Sequence, residues 1–168
     1  MKKYILVFGL IVFVGLLPIS NVYGDTYLLL TVGGGNAGSI GIEGGWLGQK
    51  FLLGIGFSVI FPKDSWKMTN ANVFGSSYQR TGPEGEGYGS AGIMILQDWF
   101  LVITAGLYYE SIQSKTVTYG GTSVEWDPEF KEPNLAYSGQ LQYTYDILIV
   151  GGGYHNRRGI VGRIGIRF

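Results

Sequence analysis

The chain holds one histidine, His155, in the stretch GYHNRRG, and histidine is the side chain best suited to move protons near neutral pH. Catalysis through it would need a hydroxyl nucleophile within hydrogen-bond reach and a third group to orient the ring. The local spacing supplies neither, and the expected place for His155 is a rim turn between two strands. Its neighbours Arg157 and Arg158, with Arg80 earlier in the chain, carry guanidinium forks that match phosphate oxygens. A third group, Glu43, Arg163 and Arg167, stands in stretches that otherwise alternate apolar and small residues. An unpaired charge in such a setting costs several kcal/mol once buried, so these three are expected to pair.

Other chemistries are poorly served. There is no cysteine, which removes thiolate catalysis and disulfides. GGGN at 33–36 and GGGYHN at 151–156 lack the Lys-Ser/Thr and the helix that a phosphate-cradling loop requires. The acidic run EWDPEFKE does not have calcium-loop spacing, so no metal and no cofactor is expected.

The elements that position these residues follow a period of two. FLLGIGFSVI places Phe51, Leu53, Ile55, Phe57 and Val59 on one face, opposite Leu52, Gly54, Gly56 and Ser58. LAYSGQLQYTY sets Leu135, Tyr137, Leu141, Tyr143 and Tyr145 against Ala136, Ser138, Gln140, Gln142 and Thr144. Similar alternation covers Ile40–Trp46, Trp99–Glu110, Leu148–Tyr154 and the tail GIVGRIGIRF, where Ile160, Ile164, Ile166 and Phe168 oppose Arg163 and Arg167. Two further strands, near 26–34 and 88–97, carry consecutive apolar residues that leave their facing open.

Eight strands result. Tight joins follow strands two, four and six, while those after strands three and five are long, about 61–86 and 111–134. Glu43, Glu110, Arg163 and Arg167 all fall on the small or polar face, and aromatic residues collect toward the ends of the apolar one. A soluble barrel would show the reverse, whereas a membrane barrel turns its apolar face to lipid and carries aromatic girdles at both interfaces. The pattern predicts an all-β, eight-stranded antiparallel up-and-down transmembrane β-barrel. No run beyond residue 24 is long enough for a membrane helix. The start, MKKYILVFGLIVFVGLLPISNVYG, has the layout of a cleaved signal peptide, which assigns 1–24 to export and 25–168 to the barrel. Without Lys2 and Lys3 the balance is about two charges negative, so nucleic acid is not an expected partner.

With these alternating strands and the terminal IGIRF, the chain resembles the small eight-stranded outer-membrane barrels of the OmpA transmembrane-domain and OmpX/Ail type. The resemblance covers residues 25–168 as architecture. It implies a Gram-negative outer membrane, a monomer, lipopolysaccharide around the barrel, and recognition of Ile164, Ile166 and Phe168 by the barrel assembly machinery. It implies no peptidoglycan-binding domain after the barrel. Under that topology Arg80, Arg157 and Arg158 lie near lipopolysaccharide phosphates. Some barrels of this kind modify lipid A, but a deacylase of that group would show a serine two positions after the histidine, where this chain has Arg157.

The expected role is structural or surface-interactive, exercised through the loops 61–86 and 111–134 toward an extracellular ligand, with the lumen plugged by Glu43 and Arg163. A narrow solute pore and a lipid A-modifying enzyme are the alternatives. Within the second loop, KTVTYGGTSVEW reads as a hairpin, which predicts that strands five and six continue past the membrane as a ribbon with a recruitable edge.

Overall fold

The computed structural model describes residues 24–35, 37–72, 75–118, 121–123 and 129–168. The proposed signal peptide lies almost wholly outside the described residues. Among the described residues, thirteen strands form two sheets. The barrel comprises β1 (Gly24–Gly34), β2 (Ala37–Gly48), β3 (Phe51–Pro62), β6 (Glu84–Leu96), β7 (Trp99–Tyr109), β11 (Asn134–Tyr145), β12 (Leu148–His155) and β13 (Gly159–Arg167). Each pairs antiparallel with the next along the chain, and β13 closes on β1 from Tyr27↔Arg167 to Gly34↔Ile160, so the barrel has no free edge.

The long connections are not irregular. They contain β4 (Lys67–Asn72), β5 (Gly75–Thr81), β8 (Ser111–Thr118), β9 (Gly121–Ser123) and β10 (Glu129–Phe130), which make a second sheet in the order β10-β8-β5-β4 with β9 also on β8. The expected hairpin exists as Thr116↔Ser123 to Thr118↔Gly121, while residues 119–120 and 124–126 of that stretch lie outside the described residues. Strands five and six do continue past the barrel, β8 following β7 after Glu110 and pairing with β10 at Glu129↔Ile112 and Phe130↔Ser111, but they are not the whole of the ribbon. β11 begins at Asn134, and the main partner of β8 is β5 from the other long connection, over Gly75↔Thr118 to Thr81↔Ile112. Seven paired residues offer more ladder hydrogen bonds than the three of β9, so the two loops knit together.

At the opposite end, tight turns join β2–β3, β6–β7 and β11–β12. Asp98 and Asp146 take left-handed φ values of 62° and 50° there, which short polar side chains tolerate better than most.

Burial alternates along most of the barrel strands, less clearly through glycine-rich runs such as Val150–Gly153 of β12. Leu53, Phe57, Ile103, Leu135, Ile164 and most other apolar residues of the outward face are exposed, and their inward neighbours are largely buried in the lumen. The two strands left open resolve the same way: Tyr27, Leu29 and Thr31 point inward from β1 while Leu28, Leu30 and Val32 point outward, and β6 turns Glu84, Glu86, Tyr88 and Ser90 inward.

Candidate functional site: a charged lumen beneath a protruding sheet

Eight strands enclose a space barely wide enough for side chains. Long residues fit because glycines face them. A Cβ at Gly56 would overlap the Tyr88 ring, one at Gly54 would overlap the Tyr27 hydroxyl, and one at Gly151 would come within 2.9 Å of Arg163 Cγ.

The lumen is layered. Toward the tight-turn end, Leu29, Leu47, Leu52, Phe100, Val102 and Ile149 pack into an apolar cluster that also takes in the Tyr27 ring. Leu47, Leu52, Phe100 and Ile149 sit at inward positions next to the turns, where strand alternation puts them inside.

Above this layer, Arg163 Nη2 lies 2.5 Å from Glu43 Oε1, with both side chains essentially inaccessible. The same carboxylate oxygen accepts hydrogen bonds from the Tyr27 hydroxyl and from Ser90 Oγ, each at 2.8 Å. Glu43, on β2, and Arg163, on β13, are held apart by one strand, β1, and each side chain crosses over it inside the barrel. Arg167 does not join them. One residue from the chain end, it reaches the rim, where Nε lies 3.6 Å from Asp25 Oδ2 and donates to the Asp146 carbonyl. That is a correction to the expected triad: four positions along β13 keep the inward facing but move the side chain out of the mid-lumen.

The third layer, at the long-connection end, was not foreseen. Glu86 is fully buried; its Oε2 accepts from Ser58 Oγ at 3.1 Å and lies 3.2 Å from Arg158 Nε, while its Oε1 lies 2.9 Å from His155 Nε2. His155 is also fully buried, and its Nδ1 accepts the backbone N–H groups of both Arg157 and Arg158 at 3.1 Å. Since Nδ1 accepts, Nε2 carries the proton and donates to Glu86. Arg157 donates to both oxygens of buried Glu84 and stands near Glu110, 3.8 Å away, which in turn meets Lys131. The hydrogen bonds to Glu84 hold the Arg157 guanidinium more firmly protonated than usual.

Two expectations are therefore corrected. His155 is a lumen residue and not a solvated rim residue, because it is the last inward position of β12. Arg158, expected at the surface for phosphate contact, is 1% exposed and committed to Glu86, and Arg157 is about one-third exposed and committed to Glu84. Of that group only Arg80 stands on the protruding sheet. Its Nε donates to Gln113 at 2.8 Å and its guanidinium stacks on Trp66, whose ring Lys115 also meets.

Glu84 and Glu86 were placed in a loop because the strand was read as starting near Tyr88. The signal was present: PEGEGYGSA alternates Glu84, Glu86, Tyr88 and Ser90 with Gly85, Gly87, Gly89 and Ala91. Without an apolar face the run resembles loop, and a closed lumen lined by cations makes such a strand stable.

On the outside, the exposed residues Trp99, Leu101, Ile103, Leu107 and Tyr109 of β7 span eleven residues, or ten residue steps. With a rise of about 3.3 Å per residue and a tilt near 40°, that is roughly 25 Å, the height of the apolar band of outer-membrane barrels. Trp99 and Tyr143 stack at 4.9 Å at the tight-turn end of this band. Fold and belt together define an eight-stranded transmembrane β-barrel.

No protein-family model matches the chain, and no curated protein matches its sequence. Solved structures do. The chain is similar to Ail, the attachment invasion locus protein of Yersinia pestis solved with the heparin analogue sucrose octasulfate, at a TM-score of 0.50 and 12% identity over 88% of this chain and 100% of that one. It is also similar to Neisserial surface protein A, at a TM-score of 0.38 and 9% identity over 86% and 92% of the two chains. The likeness to Ail is one of fold.

Proposed function

We propose that this protein is a bacterial outer-membrane barrel, exported by its first 24 residues, whose working part is the sheet raised by the two long connections and whose barrel serves as a closed anchor. The observation that carries this reading is the contrast between the two ends of the molecule. The lumen is occupied by an apolar layer and two tiers of paired charge, while β4, β5 and β8 present mostly exposed or half-exposed side chains beyond the barrel. Ordered structure is costly to maintain in a loop, and binding is the usual reason for it.

A pore reading is disfavoured by the apolar layer, which offers no polar path between the ends. A hydrolase reading is disfavoured at His155, because both ring nitrogens are engaged and neither is left to act as a base toward a serine.

The test replaces 67–81 and 111–130 by short turns and compares the result with the parent in lipid bilayers. Both proteins should fold, and neither should conduct in planar bilayers. The parent alone should bind in a surface screen against lipopolysaccharide and matrix components, in which sucrose octasulfate is an apt first anionic probe and Arg80 the first side chain to replace. Equal binding by both proteins, or a steady unitary conductance of the parent, refutes the proposal.

A further inference from the structure

The turn between β12 and β13 is held in an unusual way. Its first residue, Asn156, is fastened to β11: Asn156 N–H donates to the Tyr137 carbonyl at 3.0 Å, Tyr137 N–H donates to Asn156 Oδ1 at 3.0 Å, and Asn156 Nδ2 donates to the Leu135 carbonyl at 3.1 Å. The next two residues have no such anchor in their backbone. Their N–H groups both point to one atom, His155 Nδ1. Gly159 then ends the turn with φ at 75°, a conformation that glycine supplies at no steric cost.

From this turn the two arginines cross the mouth of the lumen. Arg158 reaches Glu86 and Arg157 reaches Glu84, both on β6, which lies on the far side of the closed barrel from β13. The imidazole thus holds the backbone from which a two-armed bridge extends.

We propose that His155 and the turn Asn156–Gly159 form an acid-released latch over the long-connection end of the lumen: closed while the ring is neutral, open once it takes a second proton. An imidazolium carries N–H on both nitrogens. The second proton would sit on Nδ1, facing two backbone N–H donors, so the ring cannot be doubly protonated while the turn keeps its present form. Glu86, 2.9 Å from Nε2, keeps the ring in place after the turn lets go. Glu84, and beyond it Glu110, act on Arg157; Tyr88 lies under Arg158, whose guanidinium is 5.3 Å from its ring. None of these replaces the acceptor that Nδ1 provides. Proton uptake by the ring and release of the Arg157 and Arg158 backbone are therefore linked, and the latch opens on the acid side. The apolar layer below is unaffected, so opening exposes a polar vestibule at one end and makes no through-pore. Such a device lets the mouth beneath the protruding sheet respond to acid surroundings.

The test is amide exchange by NMR on the isotope-labelled protein in lipid bilayer discs. Between pH 8 and pH 5 the protection factors of Arg157 and Arg158 should fall at least tenfold, while that of Asn156, which donates to the Tyr137 carbonyl, stays constant. His155→Asn places an amide oxygen where Nδ1 stands and cannot be protonated there, so it should keep protection at both pH values. If the His155→Asn protein loses protection in acid as the parent does, the carboxylates carry the response and the latch is refuted. The imidazole nitrogen shifts of the parent give an independent reading: at pH 8 Nδ1 should be bare and Nε2 protonated. A proton on Nδ1 at pH 8, or unchanged protection at pH 5, also overturns the proposal.

Discussion

Glu43 is the residue whose replacement tests the interior most severely. Its carboxylate faces Arg163 Nη2 at 2.5 Å and accepts from Tyr27 and Ser90, all in a region that solvent does not reach. Glu43→Gln keeps the volume and removes the charge, which leaves the Arg163 guanidinium buried without a counter-charge. Breaking a buried pair in this way costs about 3–5 kcal/mol. With an unfolding slope of about 2 kcal/mol per molar urea, the midpoint should drop by about 1.5–2.5 M. The assay is urea unfolding from lipid vesicles, followed by the shift in electrophoretic mobility between folded and unfolded barrel. The double variant Glu43→Gln/Arg163→Met removes the orphaned charge and should recover at least half of the loss. If Glu43→Gln unfolds within about 0.5 kcal/mol of the parent, the charges are hydrated independently and the reasoning from a dry, paired interior is wrong.

Gly54→Ala should destabilise the barrel by about 1–3 kcal/mol in the same assay, because the new Cβ overlaps the Tyr27 hydroxyl and comes within 2.6 Å of Ser90 Oγ, forcing the Glu43 network apart. Ile103→Arg, at a lipid-facing position near mid-belt that is 63% exposed, should cost about 2–4 kcal/mol in bilayers, whereas the same change at an interfacial residue such as Tyr109 should cost less than half as much. On the protruding side, the Thr81 hydroxyl donates to Asp64 Oδ2 at 2.5 Å and holds that carboxyl below its ordinary range. The contact is therefore present above the usual aspartate range and lost as pH falls through the lowered value; Thr81→Val should move the Asp64 titration, followed by carbon NMR, back up toward the ordinary value.

Which residues face lipid and which face the lumen was legible in the sequence, since a period of two leaves one choice per strand once a single residue is placed. Phe57, Leu141 and Ile164 outward, Glu43 and Arg163 inward, all follow from local alternation and need no knowledge of the partner strands. Strand number and the two classes of connection were legible for the same reason. What alternation could not decide is which inward residues meet, because that depends on register and closure around the barrel. Arg163 and Arg167 are equivalent by pattern, yet four residues of displacement along β13 send one to Glu43 and the other to Asp25 at the rim. Glu84 and Glu86 read as loop because glycine-rich PEGEG carries no apolar face to mark it as strand. They become strand residues only when His155, Arg157 and Arg158, some seventy residues later in the chain, close over them. The pairing of β5 with β8 has the same origin. Two loops that each look irregular alone become a sheet because barrel closure brings their bases side by side, and contacts of such long range are fixed by topology and not by any local run of residues.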